Sequence, residues 1–350
     1  MFRGCRQILR STECFTMQNN IPYELSDYVL EKYFHETGIK QGWLPENNKC
    51  ALIAVSGGGD SIALLWLFKK FYRGPVLTIH INHGIRGQES DEDAEFVKNF
   101  TDNVIVKNVK VPEERLKGES IEAAARRIRL NEICNEAKNF GCECVFLGHN
   151  RDDLAETVLF NLLRGTGIRG AVGITESTDL DGIKFYRPLL GLRREFLREI
   201  LRVRNISWRE DSTNNDAKYT RNFIRLKLLP EIEKHINSSA IEHLATFGED
   251  MRSIRDNEDA LSTELFERSQ GGQDRKFLRT LNENEIALVI REAGRRLKLK
   301  TLDRGRANEL AKLILAPKSF IFQWCKGVTI TSKHGRIIIN DERGEQIYNE

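Results

Sequence analysis

Short apolar runs alternate with amphipathic stretches between about residue 50 and residue 204, and this alternation constrains the fold more than any other feature of the chain. Four runs have strand length: Ala51–Val55, Val76–Ile81, Val104–Val109 and Cys144–Leu147. Helical periodicity lies between them, in Ile62–Phe71, Asp91–Phe100 and Ser120–Phe140. The alternation predicts βαβ crossovers and an α/β fold with a doubly wound, mostly parallel sheet. Such sheets bind ligands beyond the carboxyl ends of their strands.

A different pattern begins after Asp211, where charged amphipathic helices follow one another without intervening strands. Helices are predicted over 219–237, 239–268 and 278–315, and short strands over 320–324, 328–331 and 336–340. A chain of 350 residues corresponds to two or three domains. We therefore expect an N-terminal extension and leading helix over 1–45, an α/β domain over 46–215, and a helical linker with a smaller α+β domain over 216–350.

Charge and composition exclude several classes of protein. The 54 Lys and Arg residues against 51 Asp and Glu give a net charge of +3, which excludes a uniformly polybasic binder but leaves room for a local nucleic-acid patch. No apolar run approaches the roughly 20 residues of a membrane-spanning helix. The seven irregularly spaced cysteines favour a reducing cytosolic compartment over a disulfide framework. The residues before Met17 are expected to be a disordered extension. The alternative is that the start codon was assigned upstream of the true one, which would be Met17.

A glycine cluster, Ser56–Ser61, stands between the first predicted strand and the first predicted helix. Glycines let backbone N–H groups approach an anion closely, and a helix N-terminus adds partial positive charge. The Walker lysine is missing, since Asp60 follows the last glycine, and the dinucleotide fingerprint fails, since Ile62 stands where its third glycine belongs. The missing lysine favours a loop that holds pyrophosphate as a leaving group. The alternative is a tight turn with Asp60 or Ser61 as a helix N-cap.

The glycine cluster resembles the S-G-G-x-D-S signature of the PP-loop ATP pyrophosphatase superfamily. Seven further motifs narrow the resemblance, which runs from about Cys50 to Pro230, to the tRNA(Ile)-lysidine synthase family. They follow in order at 80–86 (HINHGIR), 120–126 (SIEAAAR), 148–157 (GHNRDDLAET), 163–170 (LRGTGIRG), 187–190 (RPLL), 208–214 (WREDSTN) and 219–225 (YTRNFIR).

The chain departs from the family pattern at a few positions. The family often has two histidines where this chain has His149 and Asn150, which puts in doubt a role for the second histidine. Leu154 replaces a common Gln, and Gly59 fills the variable position of the signature. The carboxylates of the same motif are unaffected.

The resemblance implies ligation of L-lysine to C2 of the wobble cytidine in an isoleucine tRNA with a CAU anticodon. ATP adenylates the C2 oxygen with release of pyrophosphate, and the lysine ε-amine then displaces AMP to give lysidine. The expected cofactors are ATP and Mg²⁺, and the expected partners are isoleucine tRNA and L-lysine, with a homodimer left open and no membrane involved.

The resemblance also implies roles in the first step. The ATP-binding candidates are Ser56, Gly57, Gly58, Gly59, Asp60 and Ser61, with His149 as a phosphate or nucleobase contact or, alternatively, a structural histidine. Asp60 is the natural carboxylate for Mg²⁺ as well as a catalytic candidate. Arg126 matches a phosphate or base contact, whereas Arg127 and Arg129 are expected to face elsewhere on a solvated basic surface.

The second step needs a neutral amine from a lysine that is cationic near pH 7. Asp152, Asp153 and Glu156 are therefore the lysine-binding candidates, with Asp153 and Glu156 also catalytic. The alternative is an acidic helix start that suits the helix dipole.

The remaining candidates concern tRNA. Arg164 and Arg169 lie in a glycine-rich segment suited to closing over an RNA backbone, and Arg221 is a further catalytic candidate beside Asn222 and Arg225. Two basic clusters favour a phosphate-binding track over solvated helix faces. They comprise Arg193, Arg194, Arg198, Arg202 and Arg204, and Arg295, Arg296, Lys298, Lys300, Arg304 and Arg306.

Two other functions stay open. A PP-loop tRNA thiolase would need cysteines for sulfur transfer or an iron–sulfur cluster, and Cys142 and Cys144 are the only close pair. A non-catalytic RNA-binding protein would carry a degenerate nucleotide site, which the intact glycine cluster and carboxylates oppose.

Overall fold

The computed structural model describes residues 22–44, 49–84, 87–210, 220–341, 343 and 345–347. The chain divides into two compact units, with the division between Glu249 and Asp250. The domain boundary predicted near residue 215 therefore falls within the first unit, and the predicted division into domains stays a prediction.

A six-stranded sheet forms the centre of the first unit, in the order β3-β2-β1-β4-β6-β5. The strands are β1 Ala51–Ala54, β2 Val76–Asn82, β3 Val104–Asn108, β4 Cys144–Leu147, β5 Ser177–Leu180 and β6 Ile183–Tyr186. All neighbours pair in parallel except β5, which runs antiparallel to β6. The predicted α/β class and mostly parallel sheet are confirmed, and the β5–β6 hairpin adds an edge that the apolar runs did not predict.

Helices surround this sheet. They are α1 Asp27–Gln41, α2 Gly59–Phe71, α3 Gln88–Phe100, α4 Val111–Glu114, α5 Ile121–Asn139, α6 Arg151–Leu163, α7 Ile168–Ala171, α8 Arg194–Arg202, α9 Thr220–Phe223, α10 Leu229–His235 and α11 Ala240–Arg268. A π-helical turn, Ile224–Leu228, joins α9 to α10, and the 3₁₀ helices are Tyr23–Leu25 and Pro188–Gly191. Residues 250–268 of α11 belong to the second unit.

The sheet is buried on both faces, as parallel sheets usually are. Ile53 and Phe146 pack with α1, α2 and α8 on one face, whereas Leu52 and Val145 pack with α5 on the other. Phe68 on α2 lies 4.4 Å from Phe146, measured between ring centroids. Residues from the first turns of α2, including Ile62 and Leu65, belong to the same cluster as Ile53, so α2 packs against the sheet along its length.

The second unit contains a three-stranded antiparallel sheet, in the order β7-β8-β9, and further helices. Its elements are α12 Arg275–Leu278, α13 Glu283–Arg296, α14 Arg304–Leu315, β7 Ile321–Cys325, β8 Val328–Lys333 and β9 Arg336–Asn340. The helix predicted over 278–315 is thus two helices, and the break between them contains Lys298 with positive φ. The three predicted strands are found in place. In the described parts of both units, no helix has the length and apolar character needed to span a membrane.

Candidate nucleotide and carboxylate site

The glycine cluster forms a loop between β1 and α2. Gly57 has a φ of +91°, which favours glycine, and Gly58 is the N-cap of α2. The Ser61 hydroxyl donates to the Gly58 carbonyl at 2.8 Å and accepts from the Ser56 amide at 3.2 Å. These bonds close the loop around the helix N-terminus, an arrangement that suits anion binding.

A second segment braces this loop. The amide of Arg209 donates to the Gly57 carbonyl at 2.9 Å, and its guanidinium group pairs with Asp93 at 2.9 Å and Glu92 at 3.0 Å. A Cβ atom on Gly59 would lie 3.4 Å from the Trp208 ring. The first two residues of the motif at 208–214 therefore contact the loop. Its residues from Asp211 onward lie outside the described part of the chain.

Asn150 begins α6 with a capping box. Its side-chain oxygen accepts from the Asp153 amide at 3.0 Å, and Asp153 Oδ2 accepts from the Asn150 amide at 3.1 Å. Asn150 thus stabilises the helix that carries the acidic residues and fixes the orientation of the Asp153 carboxylate. This is a structural reason for the asparagine at a position where the family often has histidine.

Carboxylates and guanidinium groups meet beside the loop. Asp153 Oδ1 is 2.8 Å from Arg194 and 2.9 Å from Arg225, while Glu156 Oε1 is 3.0 Å from Arg194 and 2.8 Å from Arg225. Arg221 lies further away, at 4.0 Å from Asp153 and 3.6 Å from Glu156. We call this group, with Asp60, the acid–arginine cluster: Asp60, Asp153, Glu156, Arg194, Arg221 and Arg225.

The cluster shifts the pKa values of its members. Burial raises the pKa of Asp60 to about 6, against the lowering effect of Arg194. Burial would raise the pKa of Asp153 as well, but the guanidinium groups of Arg194, Arg225 and Arg221 hold it below its usual range. Arg194 itself has a raised pKa, because Asp153 and Glu156 outweigh its burial. At neutral pH the Asp153 carboxylate and the Arg194 guanidinium group are therefore both charged.

Asp152 lies apart from the cavity beside this cluster. Its carboxylate binds the Arg193 guanidinium at 3.1 Å and accepts from the Arg194 amide at 2.8 Å. Arg193 also pairs with Glu233 at 3.4 Å. These contacts join α6 to the beginning of α8, so the structure gives Asp152 a structural contact that is separate from the other two acids.

A cavity of about 590 Å³ opens at the carboxyl ends of β1, β2 and β4. Its size is in the range of small-molecule and cofactor sites. Its apolar wall is formed by Ile79, Ile81, Leu130, Ile133 and Leu147. Of the predicted site residues, those that line it are Ser56, Gly58, Gly59, Asp60, Ser61, Arg126, His149 and Asp153. Glu156 is 1% exposed and joins them through Arg194 and Arg225.

Basic side chains border the same cavity. Arg126 and Arg129 both line it, so the expectation that Arg129 faces elsewhere is wrong, because α5 presents residues three apart on one face. Arg127 faces away and pairs with Glu119 at 2.9 Å. Burial, with Arg126 nearby, lowers the pKa of Arg129 to about 10, and burial lowers the pKa of His149 to about 3. His149 is therefore neutral near pH 7, and its buried Nδ1 atom has no hydrogen-bond partner among the described residues.

The candidates for tRNA contact lie away from the cavity. Arg164 follows α6 and stacks over the Phe160 ring, and Arg169 lies on α7, both with exposed side chains. Gly57 is in the loop but is not among the residues that line the cavity. Arg221 does not line the cavity either, and is connected to it through its ion pairs with Asp153 and Glu156.

The basic pattern around α8 predicts a nucleic-acid surface, but several of these arginines contact carboxylates or line the cavity instead. Arg193 and Arg194 bind the acids of α6, and Arg204 pairs with Asp27 at 2.8 Å and stacks over Trp66. Arg198 lines the cavity. The sequence feature that sets Arg194 apart from the other arginines is its position, four residues after Leu190, the last residue of the RPLL motif.

Magnesium remains a prediction. Among the described residues, no group of three or more His, Cys, Asp or Glu side chains is arranged to hold a metal ion. Mg²⁺ at nucleotide sites often uses one or two carboxylates together with phosphate oxygens. Asp60 fits this use, because it lines the cavity and its contact with Arg194 is a long one of 3.6 Å.

Known proteins similar to this chain were compared with it. A family model described as the PP-loop domain matches residues 30–232. The curated relatives are named tRNA(Ile)-lysidine synthase: that of Solibacter usitatus is 35% identical over 276 residues, covering 76% of this chain and 61% of the relative. That of Thermosipho africanus is 36% identical over 298 residues, covering 81% of this chain and 65% of the relative. That of Thermus thermophilus is 41% identical over 207 residues, covering 57% of this chain and 38% of the relative.

The chain spans between about two fifths and two thirds of the length of these relatives. Among solved structures, the U34-tRNA thiolase NcsA from Methanococcus maripaludis superposes with a TM-score of 0.47 at 19% identity, covering 63% of this chain and 80% of that one. That likeness is too distant to bear on function.

The family match covers 203 of the 350 residues and includes every element that forms the cavity, and a PP-loop domain implies ATP as its nucleotide. The resemblance drawn from the motifs is confirmed by the curated relatives, which are tRNA(Ile)-lysidine synthases. The chain belongs to the PP-loop domain family.

Proposed function

We propose that this chain is an ATP-dependent ligase that joins L-lysine to C2 of the wobble cytidine of an isoleucine tRNA with a CAU anticodon. The product is lysidine, and the by-products are AMP and pyrophosphate. One observation carries the proposal: a phosphate-type loop and the buried Asp153 line one cavity, and the buried Glu156 is joined to it through Arg194 and Arg225. The names of the curated relatives support the same substrates.

The loop serves the first step. Backbone N–H groups at the beginning of α2 and the Ser61 hydroxyl would stabilise the negative charge that builds up on the departing pyrophosphate. Asp60 would hold Mg²⁺, which neutralises phosphate charge when it is bound. Arg126 and Arg129 stand across the cavity, where they would contact phosphate or the cytidine. The neutral His149 offers Nδ1 to a polar group of either substrate.

The carboxylates serve the second step. Asp153 and Glu156 would bind the lysine ammonium group, and one of them would accept its proton as the amine attacks C2. In the described structure both carboxylates are neutralised by arginines, so lysine must replace at least part of those contacts. Arg221, the most exposed of these arginines, is the one best placed to turn toward the adenylate.

A tRNA contact surface is also part of the proposal. Arg164 and Arg169 are exposed and would bind the RNA backbone, as would the exposed Lys298, Lys300 and Arg304 of the second unit. We place the reaction in the cytoplasm, where the substrate tRNA is found. A homodimer stays open.

The thiolase alternative finds little support in the cavity. Cys50 precedes β1 and Cys144 begins β4, so both lie at the amino ends of strands whose carboxyl ends form the site. Burial, together with Cys50, raises the pKa of Cys142, which makes it a poor nucleophile. None of the five described cysteines lines the cavity.

The test uses the purified full chain with a transcript of isoleucine tRNA carrying a CAU anticodon. We expect ATP to be converted to AMP and pyrophosphate, with labelled lysine entering the tRNA and lysidine found by mass spectrometry after nuclease digestion. Sulfur incorporation would favour the thiolase. Binding of tRNA without AMP release would favour the non-catalytic alternative.

Variants locate the two steps. Asp60→Ala should abolish AMP formation, and Glu156→Ala should impair lysine transfer. Asp102→Ala and Glu231→Ala, at exposed positions away from the cavity, are the matched controls and should leave both unchanged. Unchanged lysine incorporation in Asp60→Ala and Glu156→Ala would contradict the site assignment.

A further inference from the structure

Arg194 contacts carboxylates from two different elements. Its Nε atom lies 3.6 Å from Asp60 Oδ2 on α2, and its terminal nitrogen lies 2.8 Å from Asp153 Oδ1 on α6. The same nitrogen is 3.0 Å from Glu156 Oε1. Arg225 and Arg221 have ion pairs only with Asp153 and Glu156 among the described carboxylates. Within the part of the chain that is described, Arg194 is therefore the ion-pair link between the nucleotide loop and the carboxylate pair.

The backbone holds Arg194 in this place. Its amide donates to Asp152 Oδ2 at 2.8 Å, at the beginning of α8. Helix α8 packs on α2 through the buried Leu197, Ile200 and Leu201. Because the side chain is only 15% exposed, its guanidinium group cannot satisfy its N–H donors with bulk water. The fold therefore fixes the backbone of Arg194, and its guanidinium group is left to divide its contacts between Asp60 and the carboxylate pair.

The charges of the acid–arginine cluster balance. Its three carboxylates face three guanidinium groups, and Asp153, Glu156 and Arg194 are largely shielded from water. An ammonium group that arrives alone adds an uncompensated positive charge to a partly desolvated site, which is unfavourable. Phosphates on the loop add negative charge next to Asp60 and draw Arg194 away from Asp153 and Glu156. The two carboxylates then gain capacity for the ammonium group.

We propose that Arg194 is a positioning residue that couples the two halves of the site, so that nucleotide and lysine bind with positive cooperativity. This inference rests on the proposed function, since it takes lysine as the ligand of Asp153 and Glu156. Coupling of this kind is reciprocal: each ligand raises the affinity for the other by the same factor.

Calorimetry on the full chain, without tRNA, tests the coupling. L-lysine is titrated into the protein alone and into protein saturated with a non-hydrolysable ATP analogue and Mg²⁺. We expect the dissociation constant of lysine to fall about tenfold or more when the analogue is present, within the usual range of coupling between sites. The analogue should gain the same factor from lysine.

Substitutions then assign the coupling to Arg194. In Arg194→Gln each ligand should still bind alone, while the coupling factor falls close to one. Arg194→Lys should retain only part of the factor, because one ammonium group cannot contact both sets of carboxylates as a planar guanidinium group does. Arg202→Gln, which loses an exposed pair with Glu195 on the same helix, is the matched control and should keep the coupling. A merely structural role would lower stability or both affinities without removing the factor.

Each result has a distinct meaning. Equal lysine affinity with and without the analogue in the unaltered protein overturns the inference and leaves the proposed function standing. Failure of lysine to bind in either state contradicts the proposed function itself. If Arg194→Gln does not fold, Arg194→Lys decides the matter, and undiminished coupling in that variant overturns the role of Arg194.

Discussion

The amide nitrogen of Arg209 donates a hydrogen bond of 2.9 Å to the carbonyl oxygen of Gly57, so a segment more than 150 residues further along the chain holds the phosphate-type loop in place. The Arg209 guanidinium group fixes that segment to α3 through Asp93 and Glu92. The loop is thus braced from α3, an element that carries none of the predicted site residues.

Removing this brace should weaken nucleotide binding. In Arg209→Met the backbone hydrogen bond can still form, but the segment that donates it loses its two anchors. We expect the affinity for an ATP analogue to fall about three- to tenfold, equivalent to about 1 kcal/mol, with little change in overall stability. Arg202→Met, which breaks an exposed pair with Glu195, is the control and should bind the analogue normally. Equal affinities in the two variants would show that the brace is dispensable.

Gly148 makes room for the loop. A Cβ atom at this position would lie 3.1 Å from the Ser61 amide nitrogen and 3.2 Å from the Asp60 carbonyl carbon, which are backbone atoms that cannot turn aside. We expect Gly148→Ala to lower the free energy of unfolding by about 1–3 kcal/mol and to reduce affinity for the ATP analogue at least tenfold. Gly167→Ala, where an added Cβ meets nothing within 4 Å, should change neither quantity. Normal binding by Gly148→Ala would mean that the loop has more freedom than its contacts show.

We expect Asn150 to affect both stability and lysine transfer through its hydrogen bonds with Asp153. Asn150→Ala removes the capping box, so we expect a loss of about 1 kcal/mol in the free energy of unfolding by urea. We also expect impaired lysine transfer, because the Asp153 amide loses the side-chain acceptor that orders the first turn of α6. Asn150→Ser restores a side-chain acceptor at the N-cap and should recover most of the stability. A loss of stability with full lysine transfer would show that Asn150 stabilises the helix without affecting the reaction.

The second unit offers a pH-dependent test. Hydrogen bonds from Arg295, with the help of Arg296, lower the pKa of Glu292 to about 2. A carboxyl group whose folded-state pKa is depressed stabilises the fold above its unfolded pKa, and this stabilisation is lost as the pH falls toward the folded value. We expect Glu292→Gln to cost about 1–2 kcal/mol at pH 7, a figure reduced because Arg295 is largely exposed.

That cost should shrink steadily below pH 4.5, the usual value for a glutamate, when unfolding is measured by denaturant at several pH values. Glu267→Gln, which alters an exposed pair with Arg296, serves as the control and should cost little at any pH. A cost for Glu292→Gln that does not change between pH 7 and pH 3 would assign its role to packing.

The sequence predicts the centre of the sheet well because its strands are buried on both faces and appear as continuous apolar runs. The hairpin of β5 and β6 is different, since Ser177–Leu180 is polar and largely exposed at the edge. A turn signal was nevertheless present in Asp181 and Gly182, which adopt positive φ values of 52° and 80°.

The motifs also predict which residues gather at the cavity, because the loop, β2, α5 and α6 all present them at one edge of the sheet. They do not predict how charges are paired. Arg194 and Arg204 belong to one cluster in the sequence, yet one binds the buried acids and the other a carboxylate near the N-terminus. Long-range ion pairs depend on tertiary packing, which a local pattern of charge does not contain.

The π-helical turn Ile224–Leu228 places Arg225 beside Asp153 and Glu156. A π turn takes up one residue more than an α-helical turn would. Deleting a single residue here would restore α-helical geometry and change the position of Arg225 within the turn. The chain therefore depends at this point on the number of its residues as much as on their identity: a one-residue deletion leaves every charge in the sequence and still alters the contacts of Arg225 with the two carboxylates.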